Sequence, residues 1–185
     1  FITFLVVILF NYFTLSSIDI PGSVTSIESK PFNSCANLIS IKLPDSVTAM
    51  GTAVFEGCSN LTDVTLPGTR MNIMADTFKN CTSLEKIVLP ETVKNIRDSA
   101  FKNCTALKEI VWSKAPELIE SNAFYNCDAI TEMDIPATVT SVGYQAFYDC
   151  DGLTKITIPD SVTSLGDSVF YDCDALTDVK LGAGI

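Results

Sequence analysis

The sequence predicts an α/β repeat protein, a solenoid built from stacked 23-residue coils. Its seven cysteines follow one another at intervals of 23 residues: Cys35, Cys58, Cys81, Cys104, Cys127, Cys150 and Cys173. A phenylalanine lies three residues before each of them: Phe32, Phe55, Phe78, Phe101, Phe124, Phe147 and Phe170. A period of about 20 to 50 residues is typical of solenoids and repeat arrays, so each unit is one copied structural element.

The first element of each unit is a short β-strand. In Leu84–Leu89, apolar residues occupy the first, fourth and sixth positions, and the Ile/Leu-rich pattern favours a strand with one buried face. We call this six-residue stretch the LxxLxL segment. One 23-residue unit cannot bury its apolar side alone, so successive coils must stack and their strands must run parallel.

A turn follows each strand, because proline ends the ladder and fixes φ. The prolines that end the segments lie at Pro21, Pro44, Pro67, Pro90, Pro136 and Pro159. After the turn, Val93, Ile96, Ala100 and Phe101 are spaced by one, three or four residues, which predicts a short helical or irregular return segment. Asparagine before the cysteine, as in Asn103, suits a tight turn.

The stretch from Cys81 to Cys104 reads CxxLxxIxLPxTVxxIxxxAFxxC and resembles the BspA-like (Treponema pallidum class) leucine-rich repeat. The resemblance covers residues 9–185. It implies a right-handed horseshoe with the parallel sheet on the concave side and short helical or irregular segments on the convex side. It also implies a surface antigen, at the cell surface or secreted, that adheres to host matrix or plasma proteins.

Two places depart from the pattern. The fifth turn has Ser113-Lys114-Ala115-Pro116 where other units have a proline followed by Ser or Thr and Val, and the strand before it ends in Trp112. We expect a local irregularity in the coil there. Arg70 replaces a turn valine and is expected to point outward.

The ends of the chain carry less information. Residues 1–8 belong to an apolar run that is compatible with a leader remnant or a cap. Residues 9–21 favour a decayed repeat, because Leu15, Ile18 and Ile20 lie 23 residues before Leu38, Ile41 and Leu43. The domain is therefore expected over residues 9–185, truncated within a unit at its C-terminal end.

Composition excludes several classes of function. Twelve Lys and Arg residues against 22 Asp and Glu give a net charge of −10, which disfavours nucleic-acid binding, and direct membrane insertion is not expected of the repeats. The chain has no histidine and no nucleophile or phosphate motif, so we predict no catalytic residue and no cofactor. The function is expected to be non-enzymatic.

The cysteine column is expected to consist of small buried hydrophobic groups rather than disulfides or zinc ligands, because a straight column does not converge on one point. Stacked aspartates are a less favoured candidate for a calcium site, since the Gly-rich ligand loop of repeat calcium binders is missing. They lie at Asp128, Asp149, Asp151, Asp172 and Asp174. We predict no metal site.

The second, third and fifth positions of each LxxLxL segment are expected to face outward on the concave sheet. The candidate protein-binding residues there are Lys42, Asp63, Glu85, Lys86, Lys108, Glu109, Glu132, Asp134, Lys155 and Asp178. Rigid parallel strands can present such residues to a protein partner. The alternative is that mixed charge only keeps an exposed sheet soluble.

One residue after the last three core phenylalanines, Tyr125, Tyr148 and Tyr171 form a predicted aromatic ladder. Such a ladder can anchor a protein partner. It can equally be stacking that covers the edge of the coil. The leading interpretation of the whole chain is a protein-binding module, and the alternatives are a structural stalk or spacer and an intracellular scaffold.

Overall fold

A computed structural model describes residues 4–5, 14–69, 71–112 and 116–185, and it shows a parallel β-solenoid. Eight three-residue strands form what we call the front sheet, one strand per coil. They are β2 (Ser17–Asp19), β4 (Ser40–Lys42), β6 (Asp63–Thr65), β7 (Lys86–Val88), β9 (Glu109–Val111), β11 (Glu132–Asp134), β13 (Lys155–Thr157) and β15 (Asp178–Lys180). Paired strands keep a register of 23 residues, as in Ile41 opposite Val64.

A second parallel ladder, the back sheet, follows the turn in each coil. Its two-residue strands are β1 (Phe4–Leu5), β3 (Ser26–Ile27), β5 (Ala49–Met50), β8 (Asn95–Ile96), β10 (Leu118–Ile119), β12 (Ser141–Val142) and β14 (Ser164–Leu165). An isolated parallel bridge between Ile73 and Ile96 occupies the coil between β5 and β8. In five coils the turn between the two sheets begins at proline, whose carbonyl accepts a hydrogen bond three residues on, as from Val93 N to Pro90 O at 3.0 Å.

Of the predicted helical or irregular return segments, the helical alternative is wrong, since all regular elements of the described ranges are strands apart from Thr14, which lies in a 3₁₀ turn. Two residues per coil, four apart, adopt the left-handed region, for example Ser99 at φ 56° and Asn103 at φ 61°. A helix needs φ near −63°, so these residues interrupt it. Alternate N–H groups bond instead to the next coil, as from Phe101 N to Ala123 O at 2.8 Å. The α/β class is therefore corrected to an all-β solenoid.

The core is a column of stacked phenylalanine rings. Phe101 is fully buried and its ring centroid lies 5.3 Å from those of Phe78 and Phe124, with interplanar angles of 13° and 1°. Six of the seven cysteines are buried beside this column. Each of the last six thiols donates to a phenylalanine carbonyl of the preceding coil, as from Cys104 Sγ to Phe78 O at 3.0 Å. The Phe78 carbonyl accepts this thiol in addition to the backbone N–H of Cys81 in its own turn.

The predictions for Arg70 and for residues 113–115 fall outside the described residues, as do residues 1–3 and 6–13 of the ambiguous N-terminal segment. The residues on either side of Arg70 and of residues 113–115 are described, and they adjoin the candidate site. Within the described ranges, no helix is long and apolar enough to cross a bilayer.

Candidate protein-binding face

The outward positions of the front sheet are exposed as the repeat pattern predicts. All ten candidate residues, from Lys42 to Asp178, are solvent-exposed, while the residue between each outward pair is buried in most strands. Eight of the ten lie within front strands, and Glu85 and Lys108 immediately precede β7 and β9. We call these outward positions the front face.

Much of the charge on the front face is neutralised between neighbouring coils. Lys86 Nζ lies 2.9 Å from Glu109 Oε1, and Lys108 Nζ lies 3.1 Å from Glu85 Oε2. Both pairs join the coil of β7 to that of β9. The lysine is in the β7 coil in the first pair and in the β9 coil in the second. A third pair joins Lys155 to Glu132 at 3.8 Å. Exposed pairs of this kind contribute about 0.2 to 1 kcal/mol each. Six of the ten candidates are therefore paired with one another between neighbouring coils.

The other four candidates, Lys42, Asp63, Asp134 and Asp178, form no ion pair with another described residue. They are separated along the sheet rather than gathered at one point. The candidates therefore do not form a single charged cluster, and charge alone does not define a binding site.

An exposed apolar centre on the front face was missed by the sequence analysis. Val88 and Val111 lie opposite one another on β7 and β9, with 52% and 36% of their surfaces exposed. The fifth position of the LxxLxL segment carries Asp, Lys or Thr in every other front strand. Two consecutive valines at this position are a signal in the sequence, whereas the residues predicted for this face were all charged.

The front sheet is interrupted on both sides of this centre. Strand pairing is found within β2-β4-β6, β7-β9 and β11-β13-β15, and in the described ranges none joins β6 to β7 or β9 to β11. The interruptions follow the two departures from the repeat, near residues 70 and 113–115. We call the isolated pair β7 and β9 the central block.

Each interruption holds a cleft. The Leu66 cleft, between β6 and β7, has a volume of about 280 Å³ and is lined by Asp63, Leu66, Val88 and Pro90 among others. The Trp112 cleft, between β9 and β11, has a volume of about 220 Å³. Its lining includes four candidate residues: Lys108, Glu109, Glu132 and Asp134. The valine centre therefore lies between two clefts and beside two ion pairs.

The tyrosine ladder exists but lies on the turns after the phenylalanines, not on the front face. Ring centroids are 4.8 Å apart between Tyr125 and Tyr148 and 5.3 Å apart between Tyr148 and Tyr171. Lys102 Nζ lies 4.0 Å from the Tyr125 centroid. Tyr148 donates a hydrogen bond to Asp172 at 2.9 Å, which raises the pKa of Tyr148 to about 12. These mutual contacts hold the ladder as an edge of the coil.

The aspartates near the ladder do not converge. In the described part of the chain, no group of three or more Asp, Glu, Cys or His side chains is arranged to hold a metal ion. Partial burial, followed by the neighbouring charge of Asp151, raises the pKa of both Asp128 and Asp149. The carboxylates thus repel one another.

The cysteine column offers little nucleophilic chemistry. Burial raises the pKa of Cys35 to about 11 and that of Cys58 to about 12, and it also raises the pKa of central thiols such as Cys104 well above the ordinary value. Cys173, at the end of the column, is only half-buried, and a hydrogen bond with Cys150 lowers its pKa. A thiol is a nucleophile only as the thiolate, so burial makes most of the column unreactive.

Comparison with solved structures finds the same fold in bacterial proteins. A leucine-rich cell surface protein from Faecalibacterium prausnitzii matches with a TM-score of 0.64 and 28% identity over 87% of this chain and 52% of its own. The Treponema pallidum leucine-rich repeat protein matches with a TM-score of 0.60 and 25% identity over 89% of this chain and 69% of its own. A Bacteroides ovatus leucine-rich repeat protein, at 22% identity over 90% of this chain and 63% of its own, has a TM-score of 0.55 and supports the fold alone.

The chain spans about half the length of the Faecalibacterium protein. No curated protein matches the sequence significantly. The profile of the BspA type leucine-rich repeat region matches residues 7–127 and 117–185, in six copies. Because the match covers almost the whole sequence, the chain belongs to the BspA-type leucine-rich repeat family.

Proposed function

We propose that this chain is a non-enzymatic module that binds a partner protein through the central block of the front face. Its family suggests a protein-interaction module. The observation that carries the proposal is the pair Val88 and Val111, exposed side by side between two clefts and bordered by the Lys86–Glu109 and Lys108–Glu85 ion pairs. An apolar centre inside a polar rim is the arrangement found at protein interfaces.

Rigidity supports the same proposal. The strands of the central block are fixed by their register, Lys86 to Glu109 and Val88 to Val111, and by the fully buried phenylalanines behind them. Side chains on such a support lose little conformational freedom on binding, which favours affinity.

We further propose that the protein acts at the cell surface or after secretion, as an antigen or adhesin whose partners are host matrix or plasma proteins. The Faecalibacterium protein it resembles is described as a cell surface protein.

The test is binding to a panel of matrix and plasma proteins that includes fibronectin and fibrinogen, measured by surface plasmon resonance. We expect saturable binding that the double variant V88T/V111T weakens by about tenfold or more, because threonine keeps the shape of valine but adds a polar group at an anchor position. The control is I39T, since Ile39 is exposed at 53% on the same face, close to the 52% of Val88, but lies outside the central block. Equal losses in both variants, or no binding to any panel member, would contradict the proposal.

A further inference from the structure

The 23-residue register places like charges on the two sides of the Trp112 cleft. The back sheet is continuous across it, since β10 pairs with both β8 and β12, so these coils are joined behind and open only in front. At the third position of the LxxLxL segment, Glu109 and Glu132 are the only like-charged neighbours in successive coils. Like charges directly opposite one another destabilise strand pairing. The opening is therefore consistent with repulsion between these two carboxylates.

The interior of the cleft is apolar. Ile110, Trp112 and Met133 line it. Ile110 is partly exposed here, whereas its equivalents Ile87 and Met133 are exposed by only 1% and 4%. Trp112 packs edge-on against Phe124, with centroids 6.1 Å apart, which supports its ring at the cleft. A volume of about 220 Å³ lies below the range of drug-sized ligand pockets and suits a single side chain.

The mouth of the cleft is acidic even after its ion pairs are counted. Glu109 is bound by Lys86 at 2.9 Å, and Glu132 is held only weakly by Lys155, at 3.8 Å. Asp134 has no ion pair with another described residue. A further pair, Lys108 with Glu85, completes the set of charges. The mouth then has three lysines and four carboxylates, a net charge of −1: Lys86, Lys108 and Lys155 against Glu85, Glu109, Glu132 and Asp134.

We propose that the Trp112 cleft receives an arginine side chain of the partner protein, an inference that rests on the proposed protein-binding function. The aliphatic stem would lie against Ile110 and Met133, and the guanidinium would pair with Asp134 and Glu132. The same planar cation stacks favourably on an indole ring, here that of Trp112. A bound cation also offsets the repulsion between Glu109 and Glu132.

The experiment uses the emission of Trp112, which is the only tryptophan of the chain and therefore reports on this cleft alone. The probe is the pentapeptide acetyl-Thr-Val-Arg-Val-Thr-amide, and its control replaces arginine by citrulline, which is neutral and of similar shape. We expect the arginine peptide to change the emission in a saturable way, with an affinity at least about fivefold higher than that of the citrulline peptide. Added salt should reduce this difference.

The variant D134N should weaken binding of the arginine peptide by at least about fivefold. The matched control is D19N, because Asp19 is exposed at the same position of the segment on β2, five coils away. Equal affinity for both peptides, equal losses in D134N and D19N, or no saturable response up to about 10 mM peptide would each overturn the proposal. The V88T/V111T test is independent of this one. If the arginine proposal fails, that test still decides whether the valine centre binds a partner protein.

Discussion

Replacing Phe101 by alanine tests whether the phenylalanine column holds the solenoid together. Phe101 is fully buried, and its ring stacks on one ring above and one below at 5.3 Å. Truncation of a buried phenylalanine costs about 3 to 5 kcal/mol, and each aromatic pair adds about 0.5 kcal/mol or more. We therefore expect F101A to lower the free energy of unfolding by about 5 kcal/mol. For a chain of this size that corresponds to a fall in Tm of about 10 to 20 °C.

The control is F170A, at the end of the same column. Phe170 is only partly buried and has one stacked neighbour described, Phe147, at 6.0 Å and 21°. Its replacement should cost about 1 to 2 kcal/mol, because less surface returns to water and one ring contact is lost. Unfolding in urea followed by far-UV circular dichroism measures both values. A cost for F101A equal to or below that of F170A would refute the idea that the column is the principal core.

Three further predictions concern thiols and carboxylates. Iodoacetamide at pH 8 should modify one cysteine in the folded protein, Cys173, because burial raises the pKa of the other thiols. Mass spectrometry counts the adducts. Rapid formation of several adducts would contradict the buried column. The variant D149N should raise Tm at pH 7, because the raised pKa of Asp149 means that its charged form opposes folding. The gain in Tm should fade as the pH drops through that raised pKa, and it should vanish below about 3.9. A gain that persists in acid would be inconsistent with this cause. The variant E132Q should reduce acrylamide quenching of Trp112 and change the free energy of unfolding by less than about 1 kcal/mol, whereas unchanged quenching would show that repulsion from Glu109 does not open the cleft.

Periodicity alone predicted the front strands, the buried phenylalanines and the exposed positions of the front face. These features depend on which residues recur every 23 positions, and that recurrence can be recognised in the sequence without a structure. The helical return segment was wrong because apolar spacings of three and four also fit a stack of turns. The choice is made by left-handed residues such as Asn122 and Asn126, at φ 55° and 54°, whose own N–H groups donate hydrogen bonds to carbonyls of the next coil.

The clefts were not predicted, because an interruption of strand pairing is a relation between coils. For the Trp112 cleft, a hypothesis was available in the sequence, because the 23-residue register places Glu132 opposite Glu109. The other interruption adjoins residues 68–71, where Arg70 stands in place of a turn valine, and the sequence analysis interpreted that change only as an outward side chain. The valine centre was overlooked because Val88 and Val111 look like ordinary strand residues until their exposure is known.

The central block of the front face is proposed to contact a partner protein. Hydrogen exchange read by mass spectrometry, on the chain alone and saturated with the panel protein that it binds, tests this directly. We predict slower exchange in residues 85–89 and 108–112, which form the central block, with no change in the back sheet. Protection confined to the tyrosine ladder or the back sheet, or the absence of any saturable partner in the panel, would contradict it.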